Sequence, residues 1–168
     1  MKIIKNIFTV FALVAALSVA AAAQTSLTSL DGTRVDLQGN RGTVVILAIG
    51  ASWLPLSGAQ AEVTNRLAKK YAGKDVVVYF VATDSADGKS KNFASNEGIR
   101  KFATTNKLTV PVLRDSDGLI VLKKYSVDQL PSFVIIDKSG AAVGPPFGGI
   151  DPNHDVSIPI SSSVDKLL

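Results

Sequence analysis

From Thr43 to Ile49 the chain reads Thr-Val-Val-Ile-Leu-Ala-Ile, with no polar side chain after the first. A strand covered on one face alternates apolar and polar residues, whereas one covered on both reads as a continuous aliphatic stretch, so this segment predicts a central strand. Val76–Ala82 and Ser132–Asp137 predict two more strands. After Ser57 the period changes. Ala61, Val63, Leu67, Ala68 and Tyr71 recur at helical spacing among Glu62, Asn65, Arg66, Lys69 and Lys70. Ser57 with Gln60 three residues on reads as a capping box, and Gly73 is the stop. Glu97–Lys107 predicts a second helix with Ile99, Phe102 and Ala103 as its apolar stripe, reached through a polar loop, Ser85–Ser95.

The remaining segments are shorter. Leu30–Leu37 alternates around Asp31-Gly32 and predicts a hairpin at the sheet edge. Val110–Leu113 contains Pro111, which suits an edge strand because proline cannot donate to a ladder on both sides. Leu119–Tyr125 reads as a short helix or turn, and Lys138-Ser139-Gly140 as a turn into Ala141–Val143. The order of elements predicts one α/β domain, a mixed sheet with helices on both faces and an amino-terminal β-hairpin. The tail from Gly144 to Leu168 is rich in Pro, Gly, Asp and Ser, and only Val164–Leu168 has the character of a closing helix. Five residues are too few to nucleate one alone.

The amino terminus reads as an address. Lys2 and Lys5 precede an apolar run from Ile7 to Leu17, and Ala21 and Ala23 supply the small residues before a cut after Ala23. The expected organisation is a signal peptide at 1–23, a domain at 24–143 and a tail at 144–168, in a periplasmic or secreted protein with no membrane span after processing. No cysteine follows the apolar run to carry a lipid anchor. Cleavage would also remove two of the 18 basic side chains and halve the net charge of +4. No basic run is interleaved with aromatics, so nucleic acid is not an expected partner. There are no cysteines at all, although an oxidising compartment permits disulfides.

Three segments resemble the thioredoxin superfamily, in particular the exported thioredoxin-like proteins of the TlpA and ResA kind, with peroxiredoxin-like redoxins as near relatives. Leu27–Leu37 resembles the family's amino-terminal hairpin. Val45–Ser57 resembles its buried strand running into an Ala-Thr-Trp-Cys-Pro-Pro-Cys turn, present here as Ala51-Ser52-Trp53-Leu54-Pro55-Leu56-Ser57. Tyr125–Asp137 resembles the segment holding the family's cis-proline, which would be Pro131. The likeness runs from about Leu27 to Val143 and implies the thioredoxin-like fold. It also implies what is missing. Leu54 and Ser57 stand where the family has its two redox cysteines, and Ala48 stands where many relatives carry a buried carboxylate that handles protons. Thiol exchange and peroxide reduction both begin with a thiolate, so the isolated chain is expected to do neither.

Other chemistry finds little support. A serine nucleophile needs an oriented base, and the single histidine, His154, lies in the tail, so Ser57 reads as an N-cap. His154 with Asp151 and Asp155 reads as a solvated loop, and Asp84 with Asp87-Gly88 and Asp115 with Asp117-Gly118 as turns lacking a calcium-loop pattern. No metal or cofactor is expected. If the turn faces the cis-proline loop, Trp53, Leu54, Leu56, Leu130 and Pro131 form an apolar patch for a polypeptide or small apolar ligand, unless Phe147 of the tail covers it. The alternatives are an oxidoreductase working with a partner's thiols, and a structural paralogue with no ligand.

Overall fold

In a computed structural model, residues 25–151 and 153–168 are described; the expected signal peptide lies outside them. The strands are β1 (Ser26–Ser29), β2 (Arg34–Asp36), β3 (Val44–Gly50), β4 (Val76–Ala82), β5 (Val112–Arg114), β6 (Ser132–Ile136) and β7 (Phe147–Gly148). The helices are α1 (Ser57–Lys70), α2 (Asn96–Thr105), α3 (Val121–Lys124) and α4 (Ser157–Asp165). All seven strands form one sheet in the order β2-β1-β5-β4-β3-β6-β7. β3, β4 and β5 run parallel, and β6, β7, β1 and β2 each join antiparallel. This is the thioredoxin-like α/β fold.

Every residue of β3 is buried, which is why its sequence shows no alternation. Val44, Ile46 and Ala48 join a core closed by Val63 and Leu67 of α1, Tyr71 just after it, Ile99 of α2, and Ile160 and Val164 of α4. Val45, Leu47 and Ile49 point the other way, into a core closed by Val121, Tyr125 and Val127. Each Val, Leu or Ile side chain so buried contributes about 1.5–3 kcal/mol. Ala48 faces Phe80 of β4 and Phe133 of β6 in register. A carboxylate there would sit between two rings, so the site of proton handling in the resembling family is a dry apolar contact in this chain.

Three expectations are corrected. β5 is an interior strand, hydrogen-bonded to β4 and β1; Pro111 precedes it and so removes no ladder donor. The tail is ordered by packing. α4 forms over nine residues because Ile160 and Val164 dock into the core, and Pro159 is tolerated in its first turn. Tyr71 donates to Ser161 O and Asp165, and Lys70 pairs with Asp165, so α1 holds α4 in place. Phe147 does not lie over the Trp53 turn as a lid. It stands in β7 opposite Phe133 and packs into the α1-side core.

Candidate functional site

The turn between β3 and α1 sits where the ends of several elements converge. Ile49 of β3 pairs with Ser132 of β6, which brings the segment before β6, Leu130-Pro131, to the same end of the sheet as Ala51–Leu56. The Leu130–Pro131 bond is cis. Trp53 is 48% exposed and Leu56 40% exposed, with Pro55 exposed between them and Leu54 half-buried. Leu130 is half-buried against the second core, and Pro131 is buried. The structure therefore brings all five expected patch residues to one end of the sheet. Trp53 and Leu56 offer open side-chain surface, while Pro131 offers none.

The capping-box reading of Ser57 and Gln60 is corrected. Leu56 occupies the cap position and makes no side-chain cap bond. Ser57 is the first helical residue, and its buried hydroxyl donates back to Ala51 O at 2.5 Å, closing the turn on itself. Gln60 is fully buried beneath the turn. Its Nε2 donates to Ile49 O at 3.0 Å and to Ser132 O at 3.1 Å, tying the end of β3 to the start of β6. Its Oε1 has no hydrogen-bond partner. A Cβ at Gly50 would lie 2.1 Å from that oxygen, so any larger residue there must displace the Gln60 amide from its two carbonyl partners. The sequence signal for capping was real as a spacing. Burial sent both side chains inward instead.

Asp84, expected in a turn, lies in extended chain instead. It is fully buried just beyond β4, and its carboxylate accepts the Ser52 N–H at 3.0 and 3.1 Å together with the Ser52 hydroxyl. The first residues of the turn are thus clamped to the neighbouring strand. Arg114 was missed altogether. Its guanidinium donates to Asp84 O, Ser85 O and Ala94 O, to Asn96 Oδ1 and to Ser116 Oγ, and so fixes both ends of the Ser85–Ser95 loop. Neither residue belongs to a sequence pattern, although an Asp or Arg at the carboxyl end of a parallel strand is placed where sites in open α/β sheets form. Asp115, next along, accepts from the Ile120 and Val121 N–H groups. Burial pushes its carboxyl above the usual range, while those two N–H groups pull the other way.

The Ser57 hydroxyl is buried and committed to a carbonyl, and no base is bonded to it. His154 is exposed in the tail, with Nδ1 2.7 Å from Asp151. Among the described residues, no three His, Cys, Asp or Glu side chains lie close enough together to hold a metal ion. Also among them, no helix is long and apolar enough to cross a membrane.

The pattern of the AhpC/TSA family matches residues 19–142. A thioredoxin-like protein of Bacillus subtilis, YneN, is 33% identical over 115 residues, covering 68% of this chain and 62% of YneN. The thiol-disulfide oxidoreductase ResA of Bacillus anthracis is 30% identical, with 70% of this chain and 62% of ResA covered. The chain thus spans under two thirds of the length of these relatives. Among solved structures, a DsbE-like protein of Chlorobium tepidum superposes with a TM-score of 0.71 at 23% identity, over 87% of this chain and 94% of that one.

Proposed function

Because the chain belongs to the AhpC/TSA family of thioredoxin-like redoxins yet carries no cysteine, we propose that it is an exported binding protein, using the surface where its relatives hold their thiols. Trp53, Leu54 and Leu56 supply the apolar contact, with Leu130 and Pro131 shaping its floor. One observation carries this reading. The turn keeps its exposed tryptophan and leucine on a backbone fixed from three sides by Ser57, Gln60 and Asp84, although no reactive atom remains for that rigidity to serve. Rigid apolar surface suits binding because little ordering entropy is lost on contact. The Leu130 N–H and C=O also have no hydrogen-bond partner among the described residues, which suits pairing with an extended chain.

The test is fluorescence anisotropy of labelled, reduced and carboxymethylated α-lactalbumin, a permanently unfolded chain, titrated with the processed protein. Leu54→Asp and Leu56→Asp should each weaken binding by roughly tenfold, since each places a charge against an apolar partner. Equal binding by all three proteins, or none by the wild type, refutes the reading.

A second reading rests on the relatives' names, since ResA is called a thiol-disulfide oxidoreductase. Under it, a partner protein lends both thiols. The isolated chain should then show no insulin-disulfide reduction and no peroxide consumption, and turnover should appear only when a dithiol protein is added.

A further inference from the structure

The chain is nearly free of sulfur. It has no cysteine, and its one methionine is Met1, at the head of the expected signal peptide. Thiols and thioethers are the side-chain groups that two-electron oxidants consume first. With both absent from residues 24–168, attack passes to the next most electron-rich group, the C2–C3 double bond of an indole. There is one indole, and it belongs to Trp53.

The structure opens that ring to attack and shields its rivals. Trp53 is 48% exposed and, among the described residues, joins neither of the two cores. Tyr71 and Tyr125 are buried, and Tyr79 of β4 is half-buried. A phenol reacts best as its anion. Burial first, and then the Asp36 carboxylate, push the Tyr125 hydroxyl up to about 12, so it stays neutral at physiological pH. The backbone beside Trp53 is held by contacts that do not involve the ring. Ser52 N–H donates to Asp84, the Leu54 N–H donates to Ala51 O at 3.2 Å, and the Ser57 hydroxyl donates to the same carbonyl. A chemical change in the ring therefore leaves the turn in place and alters only the surface it presents.

We propose that Trp53 is an oxidative modification site, converted to its oxindole by a hypohalous acid, and that this conversion switches off binding at the turn. This rests on the binding function proposed above and adds its regulation. The C2–C3 electron pair is the reductant and the halogen of the acid is the oxidant. Halogen bonds to C3 and hydroxide to C2. Halide then leaves C3 with both bonding electrons, C2 gives up its proton, and the 2-hydroxyindole moves its O–H hydrogen to C3, leaving a carbonyl at C2. The ring gains one oxygen, and one halide and one proton are released. The product sets a lactam C=O beside the ring N–H on a face that was apolar. Buried against an apolar partner without a hydrogen bond, that group should weaken binding by roughly tenfold.

The test treats the processed protein, which lacks Met1, with an equimolar amount of hypochlorous acid at neutral pH. Thiosulfate then strips chlorine from His154 and lysine nitrogens and leaves oxygen on carbon. Peptide mass mapping should find one added oxygen on Trp53 and no change on Tyr71, Tyr79 or Tyr125, with the thermal melt by circular dichroism unchanged. Affinity for labelled carboxymethylated α-lactalbumin should fall roughly tenfold. Trp53→Phe, whatever its own affinity, should show no further fall on treatment. Oxygen or chlorine on a tyrosine ring before Trp53 is consumed overturns the site. Full conversion of Trp53 with binding unchanged, an equal fall in Trp53→Phe, or a melt lowered by treatment overturns the switch. If the untreated protein binds nothing, the binding function fails and takes the switch with it; an untreated protein that binds leaves that function standing whatever the treatment does.

Discussion

Gln60 gives the sharpest test of the site's construction. Its amide has two hydrogens, and both are donated to carbonyls, Ile49 O and Ser132 O, in a fully buried position. Gln60→Glu keeps the shape but replaces the donor with oxygen. In the protonated form one O–H can still serve one carbonyl, so the other is stranded at a cost of about 1–3 kcal/mol. In the ionised form carboxylate oxygens face two carbonyl oxygens without solvent, and the folded chain keeps the carboxyl protonated instead. The unfolded chain ionises it near pH 4.3, so above that value the unfolded state holds fewer protons and stability falls by about 1.4 kcal/mol per pH unit until the folded-state pKa is reached. If that pKa lies at or above 7, the added loss at pH 7 is about 4 kcal/mol, a large part of a typical total of about 5–15 kcal/mol. Gln60→Met, which strands both carbonyls without adding a charge, should be destabilised by a similar few kcal/mol at every pH. Urea unfolding followed by the emission of Trp53, the single tryptophan, and by circular dichroism measures both variants from pH 4 to 8. If Gln60→Glu minus Gln60→Met shows no slope with pH, the brace is not in a dry site between two carbonyls, and the account of how the turn is held is wrong.

Further outcomes follow from other contacts. Leu54→Cys with Ser57→Cys should give insulin-disulfide reduction where the wild type and each single variant give none, because the pair restores two thiols at the start of α1; absence of turnover would mean that the Ala48 position, or another lost group, is also required. Ile160→Ala should cost about 2–5 kcal/mol in urea unfolding, whereas Ile158→Ser, on the exposed side of the same helix, should change stability by about 0.5 kcal/mol or less. The Asp165 carboxyl is held below its usual range first by the Tyr71 hydroxyl and then by Lys70. A lowered folded-state pKa supports folding above the ordinary carboxylate value and is lost as pH falls below it, so the protection factors of α4 amides, with the intrinsic exchange rate divided out at each pH, should fall below about pH 4 in the wild type and should lose that acid dependence in Asp165→Asn.

What could be read along the chain was whatever burial writes locally. β3 and β4 announce themselves because strands covered on both faces read as continuous apolar runs, and α1 because its apolar side chains recur every three to four residues. The missing thiols are equally plain, since no fold can supply an atom the sequence lacks. Other features are decided only by neighbours far along the chain. Ser157–Asp165 has weak intrinsic reason to be helical and becomes α4 because Ile160 and Val164 find the α1-side core. Ser57 and Gln60 have the spacing of a cap, yet the convergence of β3, β6 and the turn offers both side chains buried carbonyls instead. Asp84 and Arg114 look like ordinary loop charges until the register of β3, β4 and β5 sets their strand ends in one row. Local pattern reports the environment of a segment. Which polar groups meet at a site depends on how strands are ordered in the sheet, and that order is fixed by long-range pairing that no short window of sequence contains.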